Sequence, residues 1–138
     1  VMKSKRKVKI LLAKAGPDAH TRGVSILLAR LRDAGMEVIY TGRFQTPETI
    51  VAAAIQEDVD FIFLSDHLGS HIALSRKIIE LLKEKKAEDI SLVVGGLIPE
   101  RDIPTLKALG AKGAFPPHTL ASTVIDFVNN QTGSLIAK

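Results

Sequence analysis

The sequence contains no cysteine, which excludes disulfides and thiolate metal sites and suits a reducing compartment. Long apolar runs are missing too. The longest, such as Phe61-Ile62-Phe63-Leu64, fall far short of the roughly 20 residues that a membrane-crossing helix needs. With no signal-peptide pattern visible, the expected location is the cytoplasm, with no membrane partner. Internal repeats and low-complexity linkers are also absent. A length of 138 residues suits one domain around a single core, expected over residues 8–130 between a basic tail at 1–7 and a frayed tail at 131–138. The net charge of +4 raises the question of nucleic acid, but several of the basic residues crowd into Lys3-Ser4-Lys5-Arg6-Lys7. A charge run at a terminus is ordinarily solvated, so no nucleic-acid partner is expected.

What the chain does have is alternation. Short apolar runs rich in branched residues predict strands near 8–13, 37–41, 61–64, 91–94 and 113–115, and stretches of helical period lie between and after them. The first helix places Val24, Leu27, Leu28 and Leu31 on one face, and Gly35 is the residue just past its end. A second begins after Thr46 with Pro47 in its first turn, and Ile50, Val51, Ala54 and Ile55 form its apolar stripe. The third, over about 70–86, aligns Leu74, Ile78, Leu81 and Leu82. A fourth starts near Arg101 and stops at Gly110, and the last, about 120–130, buries Val124, Phe127 and Val128. Strands alternating with helices imply a doubly wound α/β fold, a five-stranded parallel sheet covered on both faces. Flavodoxin-like order, 2-1-3-4-5, is the leading choice.

In such a sheet ligands bind beyond the carboxyl ends of the strands. The loops that emerge there carry Asp18, His20, Thr21, Arg22 and Gly23 after the first strand, Ser65 and His67 after the third, Gly95 and Gly96 after the fourth, and His118 and Thr119 after the fifth. Lys14 stands at the end of the first strand, and all four histidines, His20, His67, His71 and His118, fall on or near this edge. Within Asp18-Ala19-His20-Thr21-Arg22-Gly23, an Asp two residues before a His can accept a hydrogen bond from one imidazole nitrogen and leave the other for a metal. Gly23 lets the backbone approach something bulky. The same letters also suit a polar loop, and a Gly-Gly after a strand is by itself a routine turn.

Taken together, Asp-x-His-x-x-Gly at 18–23, Ser65 and Gly95-Gly96 resemble the fingerprint of the cobalamin-binding domain of methylmalonyl-CoA mutase-type acyl-CoA mutases. The intervals 24–64 and 68–94 match that family as well as the letters do. So do the segments Leu31-Arg32-Asp33-Ala34-Gly35 and Leu106-Lys107-Ala108-Leu109-Gly110, and the likeness runs from about Val8 to Val128. The resemblance implies that His20 is the lower axial ligand of cobalt in place of the cofactor's own dimethylbenzimidazole base. It implies further that Asp18 and Lys14 extend a Lys–Asp–His relay behind that ligand. Ser65 would hydrogen-bond the displaced nucleotide tail, and Gly95 and Gly96 would remove side chains obstructing it, in a slot between strands one and three. Arg22 matches a basic family position without a clear role.

The family likeness also implies function: the small cobalamin-binding subunit of an adenosylcobalamin-dependent acyl-CoA mutase. The predicted fold provides no barrel to hold a CoA thioester and sequester a radical, so a separate large substrate-binding subunit is implied as partner. The sequence departs from the family pattern at four points: Ala19 for Gly, Thr21 for Asp, His67 for the Leu of Ser-x-Leu, and Phe115-Pro116-Pro117-His118-Thr119 for a Gly-Pro-Gly-Thr type loop. These changes bear on the tail's affinity, with His67 expected to face the slot. They also keep open a cobalamin carrier or sensor without catalysis. A receiver-like signalling domain fits less well, because the first strand is not followed by an acidic pair or a phosphate-cradling Ser/Thr loop.

Overall fold

The computed structural model describes residues 7–14, 22–42 and 45–136. Its elements alternate strictly: β1 (Lys9–Lys14), α1 (Arg22–Asp33), β2 (Glu37–Tyr40), α2 (Pro47–Glu57), β3 (Phe61–Asp66), α3 (His71–Glu84), β4 (Ser91–Gly96), α4 (Ile103–Leu109), β5 (Gly113–Ala114) and α5 (Ala121–Ile136). All four strand pairings are parallel, in the order β2-β1-β3-β4-β5. The predicted topology therefore holds, and its cause is visible in the burial. β1, β3 and β4 each carry an unbroken apolar run, Ile10–Ala13, Phe61–Leu64 and Leu92–Val94, because both their faces are covered there, as parallel strands require.

Alternation along the strands divides the core in two. Leu11, Ala13, Ile62, Leu64, Leu92 and Val94 face α2, α3 and α4, where they meet Ile50, Val51, Ala54, Ile78, Leu82 and Leu106. Ile10, Leu12, Phe61, Phe63 and Val93 face α1 and α5, where they meet Val24, Leu31, Val124 and Val128. The chain leaves β1 toward β2 on one side and returns through β3 on the other. The carboxyl ends of β1 and β3 therefore flank the point where the winding reverses, the place where such folds hold ligands.

Local chemistry sets the ends of the helices. Gly35, at φ 90°, closes α1 in a Schellman pattern: its N–H bonds to the Arg32 carbonyl at 3.0 Å and the Met36 N–H to the Leu31 carbonyl at 3.1 Å. Thr46 caps α2 reciprocally with Thr49, and Pro47 sits in the first turn.

Several boundaries differ from the sequence expectation. β3 and β4 each run two residues further, so Ser65, Gly95 and Gly96 are paired strand residues rather than loop residues. Backbone pairing continues where side-chain hydrophobicity has already stopped. β5 is one residue shorter than expected. α4 is preceded by a separate 3-10 turn over Glu100–Asp102 instead of starting at Arg101. α5 continues to Ile136, through residues expected to fray. Ile55, placed in the core stripe of α2, is 38% exposed. Among the described residues no helix is long and apolar enough to cross a membrane.

Candidate functional site

Register places three of the expected site residues in one transverse row. Lys14 lies opposite Ser65 on β3, and Ser65 lies opposite Gly95 on β4. Being in step, they share the sheet face with Leu12, Phe63 and Val93, one row nearer the carboxyl edge. Lys14 is 0% exposed. An ammonium so placed needs acceptors, and the fold supplies them: Nζ lies 3.4 Å from Ser65 Oγ and 3.2 Å from His67 Nδ1. An ammonium only donates, so His67 Nδ1 accepts and a neutral ring carries its proton on Nε2. The Lys14 carbonyl is in turn held by the Gln45 N–H at 3.2 Å.

Beside this row opens a cleft of about 490 Å³. Leu12, Phe63, Val93, Ser65 and Gly95 form its floor, Val24 and Leu27 of α1 one wall, and Ala121 and Val124 of α5 the other. His67, Leu97 and the 115–119 loop line the remainder. The cleft thus lies between α1 and α5, over β1, β3 and β4, and is broader than the slot between strands one and three that the sequence suggested. It is mostly apolar with a few polar groups, Ser65, His67, His118 and Thr119, the usual make-up of a small-molecule site. At its mouth, exposed His118 adopts φ 67°, a left-handed conformation ordinarily taken by glycine, while Thr119 Oγ1 donates to the Pro116 carbonyl at 2.6 Å.

The two glycines prove to do different things. A Cβ added to Gly95 would meet nothing within 4 Å, so any side chain there would project into open space on the cleft floor. Gly96 has φ +110° and lies against β3 so closely that a Cβ would overlap the Asp66 carbonyl. Gly95 keeps the cleft clear; Gly96 keeps the strands together. This corrects the reading in which both clear space for a ligand.

Of the remaining expected residues, Asp18, His20 and Thr21 lie outside the described residues, so the Lys14–Asp18 and Asp18–His20 contacts do too. Arg22 and Gly23 open α1 instead of ending a loop. His67 lines the cleft as expected, and its contact with Lys14 is one a leucine could not make. The sequence reading missed a cluster on the opposite face. His71, at the start of α3, lies between Asp66 and Asp102, with Nε2 2.7 Å from Asp102 Oδ2 and Nδ1 3.4 Å from Asp66 Oδ2. Asp66 stands between two residues that were singled out, but nothing in the sequence links it to Asp102, 36 positions on.

The residues present suit a ligand with an elongated tail: an open apolar cleft, a glycine-cleared floor, and a Lys–Ser–His cluster at the carboxyl ends of β1 and β3. Comparison with known proteins agrees. The model of the B12 binding domain matches residues 8–122. The 2-hydroxyisobutanoyl-CoA mutase small subunit of Aquincola tertiaricarbonis is 40% identical over 123 residues, covering 89% of this chain and 90% of that one. The pivalyl-CoA mutase small subunit of Xanthobacter autotrophicus is 38% identical, covering 89% and 82%. Methylmalonyl-CoA mutase of Cereibacter sphaeroides is also 38% identical, but the chain spans only 16% of its length. Among solved structures, a cobalamin-binding protein from Desulfitobacterium hafniense superposes with a TM-score of 0.78 at 21% identity, over 91% of this chain and 59% of the other. A receiver domain from Mycobacterium tuberculosis reaches 0.71 at 12% identity, which reflects the shared fold alone. On the match across residues 8–122 and the two small-subunit relatives, the chain belongs to the B12-binding domain family.

Proposed function

We propose that this protein is the small, cobalamin-binding subunit of an acyl-CoA mutase, an isomerase of the carbon skeleton, and that adenosylcobalamin is the form it uses. The observation that carries the reading is the Lys14–Ser65–Gly95 row with its adjoining cleft, at the end of the strand that precedes Asp18 and His20 in sequence. The near full-length match to two mutase small subunits supports it. Bound adenosylcobalamin supplies a cobalt–carbon bond whose homolysis initiates radical chemistry. The residues of this chain hold and tune the cofactor. His20 would hold the cobalt through one imidazole nitrogen, Asp18 would accept a hydrogen bond from the other, and Lys14 would support Asp18. Ser65 and Gly95 receive the displaced nucleotide tail in the cleft, and His118 and Thr119 close its mouth.

A flavodoxin-like sheet of this size encloses no chamber for a CoA thioester. In line with the two small-subunit relatives, substrate would belong to a large subunit docked over the carboxyl edge, where Ile26, Leu68, Leu97 and Leu120 each leave half or more of their surface exposed. A chain without cysteine suits the cytoplasm for this work. The alternative, a cobalamin carrier or sensor, draws on His118 in its strained conformation at the cleft mouth. Reconstitution separates them. Mixed with the large subunit of 2-hydroxyisobutanoyl-CoA or pivalyl-CoA mutase and adenosylcobalamin, the chain is expected to yield thioester isomerisation that neither protein shows alone. Tight cobalamin binding with no turnover alongside any mutase large subunit would favour the carrier.

A further inference from the structure

Asp66, His71 and Asp102 form a buried polar cluster to which the cofactor site assigns no role. Asp66 is 2% and His71 4% exposed, and the Asp102 side chain 22%. Burying carboxylates and an imidazole is costly unless they satisfy one another, and apolar side chains of similar size would ordinarily serve a core at least as well. None of the three is among the described residues lining the cleft. Their connections explain why they matter to it.

Ser65 and Asp66 are consecutive strand residues, so their side chains leave opposite faces of the sheet. Ser65 points to the cleft, and Asp66 points toward α3 and α4. There Asp66 Oδ1 accepts the Leu68 N–H at 3.2 Å, which sets the turn that carries His67. Its backbone carbonyl accepts the Leu97 N–H at 2.9 Å and lies against Gly96, which follows the cleft-floor residue Gly95. The His71 ring packs behind Asp66 from the start of α3, with Nδ1 3.4 Å from Asp66 Oδ2 but no hydrogen bond between them, and is itself anchored by the 2.7 Å contact from Nε2 to Asp102, immediately before α4. The Nε2–H donates, because a carboxylate can only accept. Asp66 therefore sits at the junction of the β3 turn and the β4 end, with the anchored His71 ring packed behind it.

Resting on the cobalamin reading, we propose that His71 is a positioning residue: with Asp66 and Asp102 it braces the ends of β3 and β4 from the far side of the sheet, so that Ser65, His67 and Gly95 present a fixed wall to the nucleotide tail. The brace acts on the tail and not on the proposed cobalt ligand, His20, which follows β1 in sequence.

Equilibrium titration with two corrinoids tests this. Cobalamin carries the tail; cobinamide lacks it but can still be ligated by a histidine. Asp102→Asn, at the outer and partly exposed end of the brace, is expected to weaken cobalamin binding by about 10–100-fold, the range typical of supporting residues around a bound cofactor, and to leave cobinamide binding unchanged. His71→Gln, whose amide nitrogen reaches the position of Nε2, should retain more tail affinity than His71→Ala. Thermal melts of Asp102→Asn and His71→Gln establish that the fold persists. Equal losses for both corrinoids, or unchanged cobalamin affinity in a folded variant, would overturn the brace while leaving the cobalamin reading standing. Failure of the parent protein to bind either corrinoid would overturn both.

Discussion

His20→Ala is expected to abolish the histidine-ligated spectrum of bound cobalamin, leaving at most weak binding through the nucleotide tail. His20 alone of the four histidines has an Asp two residues before it and a Gly three residues after it. The structure gives the other three different work. His71 has a carboxylate at each ring nitrogen, His67 meets Lys14 through Nδ1, and His118 stands exposed on the far side of the cleft beyond β5. A metal bond is the largest single interaction the site can offer, so its loss should exceed any other single substitution here. Asp18→Asn should be milder, about 10–100-fold in affinity, because it weakens the support of the ligand and leaves the ligand in place. Titration followed by absorption reads both. A His20→Ala protein with the parental spectrum would move the ligand elsewhere.

The second large effect separates the two adjacent glycines. Gly95→Leu puts an apolar side chain where nothing lies within 4 Å, on the floor of a cleft of about 490 Å³. The fold should tolerate it. Binding should not: forcing a ligand against an inserted side chain costs about 1–3 kcal/mol, or roughly 10–100-fold in affinity. Gly96→Ala should do the reverse in origin. Its Cβ overlaps the Asp66 carbonyl at a backbone φ of +110°, so the change should destabilise the protein by about 1–3 kcal/mol from the backbone alone. Urea denaturation and cobalamin titration of both variants form a crossed comparison. Stability lost at Gly95→Leu with binding intact, or the converse at Gly96→Ala, would invert the assignment.

These residues also show how much the sequence could reveal. The fold was legible because β1, β3 and β4 are apolar on both faces and the helices between them keep a clear stripe, a pattern that only a covered parallel sheet explains. Lys14, Ser65 and Gly95 were recognisable from motif and spacing, and their common row follows from strand register once the topology is known. Cobalamin as the ligand rested on resemblance, and the family match over residues 8–122 bears it out. Other features were hidden because they depend on three-dimensional closeness. The separate roles of Gly95 and Gly96 come from a carbonyl on the neighbouring strand. The exposure of Ile55 comes from how α2 rolls against the sheet. The pairing of His71 with Asp102 joins residues from two elements with no periodic relation.

One measurement bears most directly on the claim that this chain holds cobalamin through its own histidine. The protein is prepared with ¹⁵N-labelled histidine, loaded with unlabelled cobalamin, reduced to the Co(II) state and examined by electron paramagnetic resonance. A single ¹⁵N axial ligand splits the cobalt lines into doublets, whereas the ¹⁴N of the cofactor's own base gives triplets. Doublets are predicted, and they should disappear in His20→Ala. Triplets in the labelled parent protein would show the base still on cobalt and would contradict the account.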